Sequence, residues 1–137
     1  MREKPVNLNK ALESFSDTWS PRIVTKVNDY DVRIAHVEGE HVWHKHEETD
    51  EFFLVLEGHF DIAIKEGEGE KVVHMSEGDT YVVPRGTFHK PSSDGASILM
   101  FEPTGTNSTG DEYEGILSDN IETVSYTHLT LPTKRIV

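Results

Sequence analysis

The sequence predicts an all-β barrel preceded by one short helix. Three observations carry this. From residue 22 onward, short apolar runs recur at a spacing of about 8–12 residues with Gly at the turns, the pattern of a barrel or sandwich. Several runs alternate with period two, as in Phe60, Ile62 and Ile64. Only Leu8, Ala11, Leu12 and Phe15 recur at i, i+3, i+4 and i+7, one face of an amphipathic helix. The 137 residues suit one domain, and the absence of cysteine means that its core is not stapled by disulfides.

Taken in order, Trp19-Ser20-Pro21 stops the helix, and Arg22–Val27 is a strand. Asn28 to Asp31 is a turn, and Val32–Glu38 alternates as a second strand, punctuated by Gly39. His41–His46 is a third. Glu51–Leu56 follows the polar turn 47–50 and is closed by Gly58, after which Phe60–Ile64 alternates. The Glu/Gly run 66–70 is a hairpin turn and Lys71–Met75 returns. After a turn at 76–79, Thr80–Val83 runs into Pro84-Arg85-Gly86, and Ala96–Glu102 is a last apolar strand. The expected division is 1–30 as helix and first strand packing on the barrel, 31–103 as the barrel and 104–123 as a C-terminal extension. Val124 to Thr133 reads as the in-frame translation of a sequencing-library adaptor, so 124–137 is expected to be a non-native tail, with the true C-terminus lost beyond about Thr123. His128 therefore leaves the ligand set.

The charge balance, 13 Lys+Arg against 25 Asp+Glu, gives −12 and argues against nucleic acid and anionic membrane surfaces as partners. No apolar run approaches the ~18 residues of a membrane span. Met1 to Pro5 lead into no apolar segment of a secretory signal, so the expected location is the cytoplasm. The sequon Asn107-Ser108-Thr109 is discounted on that ground. No Ser–His–Asp arrangement, Gly-rich phosphate loop or DNA-binding helix is apparent.

One constellation carries chemistry. His44 and His46 are two apart on a strand and face the same way, with Val42, while Trp43 and Lys45 face the other. Glu51 opens the next strand, whose inward set is Glu51, Phe53 and Val55. A carboxylate at the head of so apolar a strand requires solvent or a cation. Pro84 to His89 offers a rigid turn that delivers a further His. The remaining histidines, His36, His41, His59 and His74, lack partners at ligand spacing and read as surface or pore-lining residues. Arg85 reads as a solvated turn residue.

These residues resemble the two motifs of the cupins. The first stands here as Gly39-x4-His44-x-His46-x4-Glu51-x6-Gly58, the second as Gly78-x5-Pro84-x-Gly86-x2-His89-x3-Ser93. Two departures, four rather than five residues before His44 and Ser93 in place of Asn, touch no ligand position. Trp19-Ser20-Pro21, Val42-Trp43-His44 and Glu102-Pro103 further resemble small single-domain bacterial cupins of the mannose-6-phosphate isomerase-like (cupin 2) type. The resemblance implies a double-stranded β-helix, jelly-roll-like barrel with His44, His46, Glu51 and His89 as metal ligands.

Three nitrogens and one oxygen suit Fe, Mn, Ni, Cu or Zn as divalent ions. The expected function is a metalloenzyme acting on a small organic or sugar substrate, of the oxygenase or isomerase class. The alternative is a non-catalytic binding or sensing protein that grips a small molecule through the metal. A purely structural metal ranks last, because closed structural sites are usually rich in thiolates. The outward apolar row Phe52, Leu54 and Leu56, beside Trp43, predicts a homodimer.

Overall fold

In the computed structural model, residues 4–110, 112–113 and 122–124 are described. The helix α1 (Leu8–Glu13) begins where the Asn7 side chain accepts from the Lys10 amide at 3.0 Å. It ends where the Ser14 hydroxyl donates to the Ala11 carbonyl at 2.6 Å, several residues before the predicted stop at Trp19. Nine strands follow among the described residues: β1 (Arg22–Val27), β2 (Tyr30–Glu40), β3 (His44–Lys45), β4 (Glu51–Glu66), β5 (Gly69–Ser76), β6 (Thr80–Val83), β7 (His89–Pro103), β8 (Glu112–Tyr113) and β9 (Glu122–Thr123).

The strands are ordered β5-β4-β7-β2-β1-β9. β6 pairs with the first residues of β4, and β3 joins β7 to β8. Among these nine strands every pairing is antiparallel except β1 with β9. The architecture is all-β, as the alternation predicts.

β4 and β7 form the frame, paired from Phe52–Phe101 to Ile64–His89 with two register shifts. The sequence divides β4 at Gly58, but the strand continues through it. Gly58 sits in an irregularity so tight that a Cβ there would overlap the Gly95 carbonyl oxygen. β7 likewise starts at His89 rather than Ala96, because Pro91 and Gly95 lie within it and read as breakers.

Alternation along β2, β4 and β7 fills the interior with Ala35, Val37, Phe53, Val55, Phe60, Ile62, Ile98 and Met100. Phe60 is fully buried, a contribution on the order of 1.5–3 kcal/mol. A second cluster lies on the outer face, where Ala11 packs with Val24, Ile34 and Val124, and Leu8, Leu12 and Phe15 adjoin Leu56 and Leu99. His36 anchors the helix there, its Nε2 lying 2.8 Å from the Leu12 carbonyl and 3.0 Å from that of Phe15. Val124, read as the first residue of the adaptor-like run, is buried, and its amide donates to the Ile23 carbonyl at 2.9 Å. Residues 125–137 of that run lie outside the described residues.

Candidate metal centre

The predicted strand 41–46 shrinks to two residues, yet His44 and His46 keep their common face, and both are buried. Trp43 points outward, where the Lys65 and Lys90 ammonium groups sit 4.9 Å and 5.6 Å from its ring. Val42 is half-buried outside the core, and its contribution is its carbonyl, which accepts from His44 Nδ1 at 2.8 Å. Glu51 heads β4 and is buried. The turn that follows β6 is tied to the first histidine segment by the Gly86 amide, which donates to the His46 carbonyl at 2.7 Å. It delivers His89 into register opposite His44. The ligand-capable atoms of His44, His46, Glu51 and His89 all lie within 4.8 Å of one another. All four predicted residues are thus brought together.

The hydrogen bonds fix which nitrogens face inward. A carbonyl can only accept, so His44 Nδ1 donates to Val42 and His89 Nδ1 donates to Thr87 at 2.9 Å. In the neutral rings, Nε2 then carries a lone pair. His89 Nε2 nevertheless lies 3.1 Å from Glu51 Oε1, and His46 Nε2 lies 3.3 Å from the same oxygen. With Nδ1 of His89 as the donor, its Nε2 and the Glu51 oxygen are both acceptors, and their approach requires a cation between them, either a proton or a metal ion.

Burial, followed by the charge of His89, pushes His44 down to about 3. Burial pushes Glu51 upward, but its contacts with His46 and His89 outweigh this and hold it well below the usual carboxylate range. A neutral imidazole and an ionised carboxylate are the forms that bind metal. The buried His3Glu set is therefore compatible with a divalent ion.

Three charged residues behind the cluster escaped the sequence reading as a group. Asp31, Arg33 and Glu102 are all buried. Arg33 donates from Nε and Nη2 to Asp31 Oδ2 at 3.1 and 2.9 Å, and from Nη1 to Glu102 Oε2 at 3.2 Å. Burial, then the Glu51 carboxylate, hold Glu102 well above the usual range against the pull of Arg33. The signal was present: Ile98, Met100 and Glu102 share one face of β7, as Glu51, Phe53 and Val55 share one face of β4. His41, read as a pore-lining or surface residue, lines the interior. Its ring stacks on Trp19 at 4.9 Å and meets His44 edge-on at 5.3 Å.

The segment after β7 folds over the cluster. Arg33 Nη1 donates to the Thr106 carbonyl at 2.8 Å and His41 Nε2 to that of Ser108 at 3.1 Å. Gly110 lies against the site at φ +75°. A Cβ there would overlap the Lys45 carbonyl oxygen and come within 2.9 Å of His44 Cδ2. Two cavities reach the cluster. One, of about 30 Å³, has mainly apolar walls and touches His44 and Glu51. The other, of about 230 Å³, lies beside His46 between residues 48–49 and 104–107, with polar and apolar walls in about equal parts.

Fold and centre together define a β-barrel protein with an internal site suited to a metal ion. Residues 31–101 match the family described as the cupin domain, and the chain belongs to that family. It is 39% identical over 70 residues to the uncharacterized protein YdbB of Bacillus subtilis (strain 168), covering 51% of this chain and 59% of that protein's length. A cupin-2 domain containing protein from Shewanella frigidimarina NCIMB 400 superposes with a TM-score of 0.67 at 38% identity, over 72% of this chain and 93% of that one. Hydroquinone 1,2-dioxygenase PnpCD, in complex with Cd2+ and 4-hydroxybenzonitrile, shares the fold with a TM-score of 0.60 at 21% identity, over 73% and 72% of the two chains.

Proposed function

We propose that this cupin is a metal-dependent enzyme acting on a small organic or sugar substrate, of the oxygenase or isomerase class. In this reading His44, His46, Glu51 and His89 ligate one divalent Fe, Mn, Ni, Cu or Zn ion. The observation that carries it is the 3.1 Å contact between His89 Nε2 and Glu51 Oε1, two acceptors held together inside an apolar barrel. A bound ion supplies Lewis-acid chemistry to an oxygen-bearing substrate. The chain's own part is to hold the rings: the Val42 and Thr87 carbonyls fix the His44 and His89 tautomers, and the segment 104–110 covers them. The mannose-6-phosphate isomerase-like label and the likeness to a hydroquinone dioxygenase speak to fold, and one fold serves many reactions.

Metal analysis of untagged protein, followed by O2-uptake and isomerisation assays on diols, thiols and sugars, tests the reading. Stoichiometric metal with turnover supports it. Metal and tight ligand binding without turnover on any of these substrates favours the non-catalytic binding or sensing alternative. Protein that takes up no metal overturns both.

Two further parts of the reading concern context. A homodimer is supported by the outer row Val32, Phe101, Phe52 and Val82, cross-strand neighbours of which Val82 is 46% exposed. Trp43, with two ammonium groups against it, lies outside this patch. A monomer in sedimentation at micromolar concentration would reject the dimer. A cytoplasmic location fits the absence, among the described residues, of any helix long and apolar enough to cross a membrane, and fractionation tests it.

A further inference from the structure

We infer that His41 is a positioning residue: gripped by Trp19, it sets the ring of His44 and ties the segment 104–110 over the cluster, a role that rests on the metal reading above. His41 stands at one of the unspecified positions between Gly39 and His44. Its place is fixed from several directions. The backbone amide donates to the Pro91 carbonyl at 2.9 Å, which ties His41 to β7 two residues past His89. The Trp19 indole lies flat on its ring, with centroids 4.9 Å and planes 11° apart. The ring meets His44 edge-on at 5.3 Å and 81°. Its Nε2 donates to the Ser108 carbonyl at 3.1 Å.

Trp19 reaches this stack at a cost. It takes φ +54°, a left-handed conformation that a bulky side chain rarely adopts. Its amide, donating to the His36 carbonyl at 2.8 Å, and its indole Nε1, donating to the Glu38 carbonyl at 2.8 Å, hold it there. Strain of this kind persists only where the surroundings impose it, and it gathers at functional sites. Its product here is the indole face on His41. His44 has the Val42 carbonyl at Nδ1, but one hydrogen bond does not fix the plane of a ring. His41 bounds that plane on one side. Gly110 bounds it at Cδ2, where a Cβ would come within 2.9 Å. Gly110 follows Ser108 by two residues, so the bond from His41 to Ser108 holds two neighbours of the His44 ring together. The Arg33 bond to the Thr106 carbonyl, 2.8 Å long, anchors the start of the segment independently.

Exchange of amides with solvent, followed by NMR on the full metal-free chain, tests this without an ion. The Gly110 amide, which donates to the Asn107 carbonyl at 3.2 Å, should exchange severalfold faster in His41→Phe, which keeps a ring and loses the donor. The Thr106 amide, beside the Arg33 anchor, should not change. His41→Gln, whose amide nitrogen reaches about as far as Nε2, should restore Gly110 to the wild-type rate. If His41→Phe fails to fold, Trp19→Leu removes the stack and should free Gly110 in the same way. Faster exchange at Gly110 and Thr106 alike marks general loosening, and unchanged exchange at both marks an idle contact; either overturns the role of His41. Titration with zinc then reads the effect on the centre. Outer partners of ligands typically change metal affinity about 10–100-fold, and both His41 variants should bind zinc more weakly by a factor in that range. Wild-type affinity in both folded variants overturns the inference. A wild-type chain that binds no zinc overturns the metal reading instead, with the exchange comparison still deciding on His41.

Discussion

Glu51 and Glu102 stand opposite one another on the inner faces of β4 and β7, one step beyond the Phe52–Phe101 pair, and both are buried. Like charges directly across a ladder repel. The two are driven apart: contacts with His46 and His89 hold the Glu51 carboxyl well below the usual range, while burial and the Glu51 carboxylate hold Glu102 well above it. Glu102→Gln keeps the shape of a neutral acid and should change stability by less than about 1 kcal/mol. Arg33→Met leaves Asp31 buried without its guanidinium and should cost about 3–5 kcal/mol. Urea denaturation of the two variants checks the contrast, and equal losses would refute it.

His44 and Glu102 shape the pH response of the metal-free protein. His44 is depressed to about 3, so between its unfolded value near 6.5 and that point the unfolded chain binds a proton that the folded chain refuses. Stability therefore falls as pH drops through this window, by about 1.4 kcal/mol per pH unit for one such group. Glu102 is raised, so its contribution runs the other way and is lost as pH rises above about 4.5. From about pH 4.5 upward the two oppose, and Glu102→Gln should show there a steeper rise of stability with pH than the wild type. Denaturation midpoints across that range decide it.

His89→Ala should lose most of the bound metal, and His44→Ala/His89→Ala all of it, as read by elemental analysis. The apo barrel should survive each single replacement at a cost of about 1–3 kcal/mol, since its apolar core does not depend on an ion. Metal content in the double variant equal to that of the wild type would remove the ligand assignment.

Gly110→Ala should weaken metal binding although all four candidate ligands keep their identity. The new methyl group meets Lys45 and His44 at once, and the positive φ adds backbone strain. Gly105→Ala, where a Cβ has open space at φ +95°, carries the strain alone and should leave the metal affinity intact. Titration of the two variants with one metal separates the effects, and equal affinities would show that the segment does not bear on His44.

Deleting residues 125–137 should leave the melting temperature unchanged, as expected of a tail foreign to the fold. Deleting Val124 as well should lower it, because Val124 packs with Ala11, Val24 and Ile34. A large loss from the first deletion would show that the tail belongs to the protein.

That His44, His46, Glu51 and His89 come together was legible because local features place them: a two-residue repeat, a charge at the head of an apolar strand, and a Pro-Gly turn. β1 and β6 were legible to the residue, because turn residues bound them on both sides. The lengths of β4 and β7 were not, since Gly58, Pro91 and Gly95 end strands in most contexts, and only the partner strand shows that the ladder continues through them. Arg33 and Glu102 were hidden by distance. Each looks like a solvated charge within its own strand, and the hydrogen bond between them spans 69 positions of the chain.

The pairing of β4 with β7 also sets the order in which the molecule can be made. His44, His46 and Glu51 leave the ribosome within eight residues of one another, whereas His89 arrives later and reaches them only through a ladder that ends near Pro103. Long-range pairing of this kind is slow to form, on the order of milliseconds to seconds. A metal ion that meets the nascent chain finds three loose donors without their fourth. One that arrives after closure must pass the segment 104–110. An ion held by all four residues would therefore be selected in part by the metals present while the chain folds.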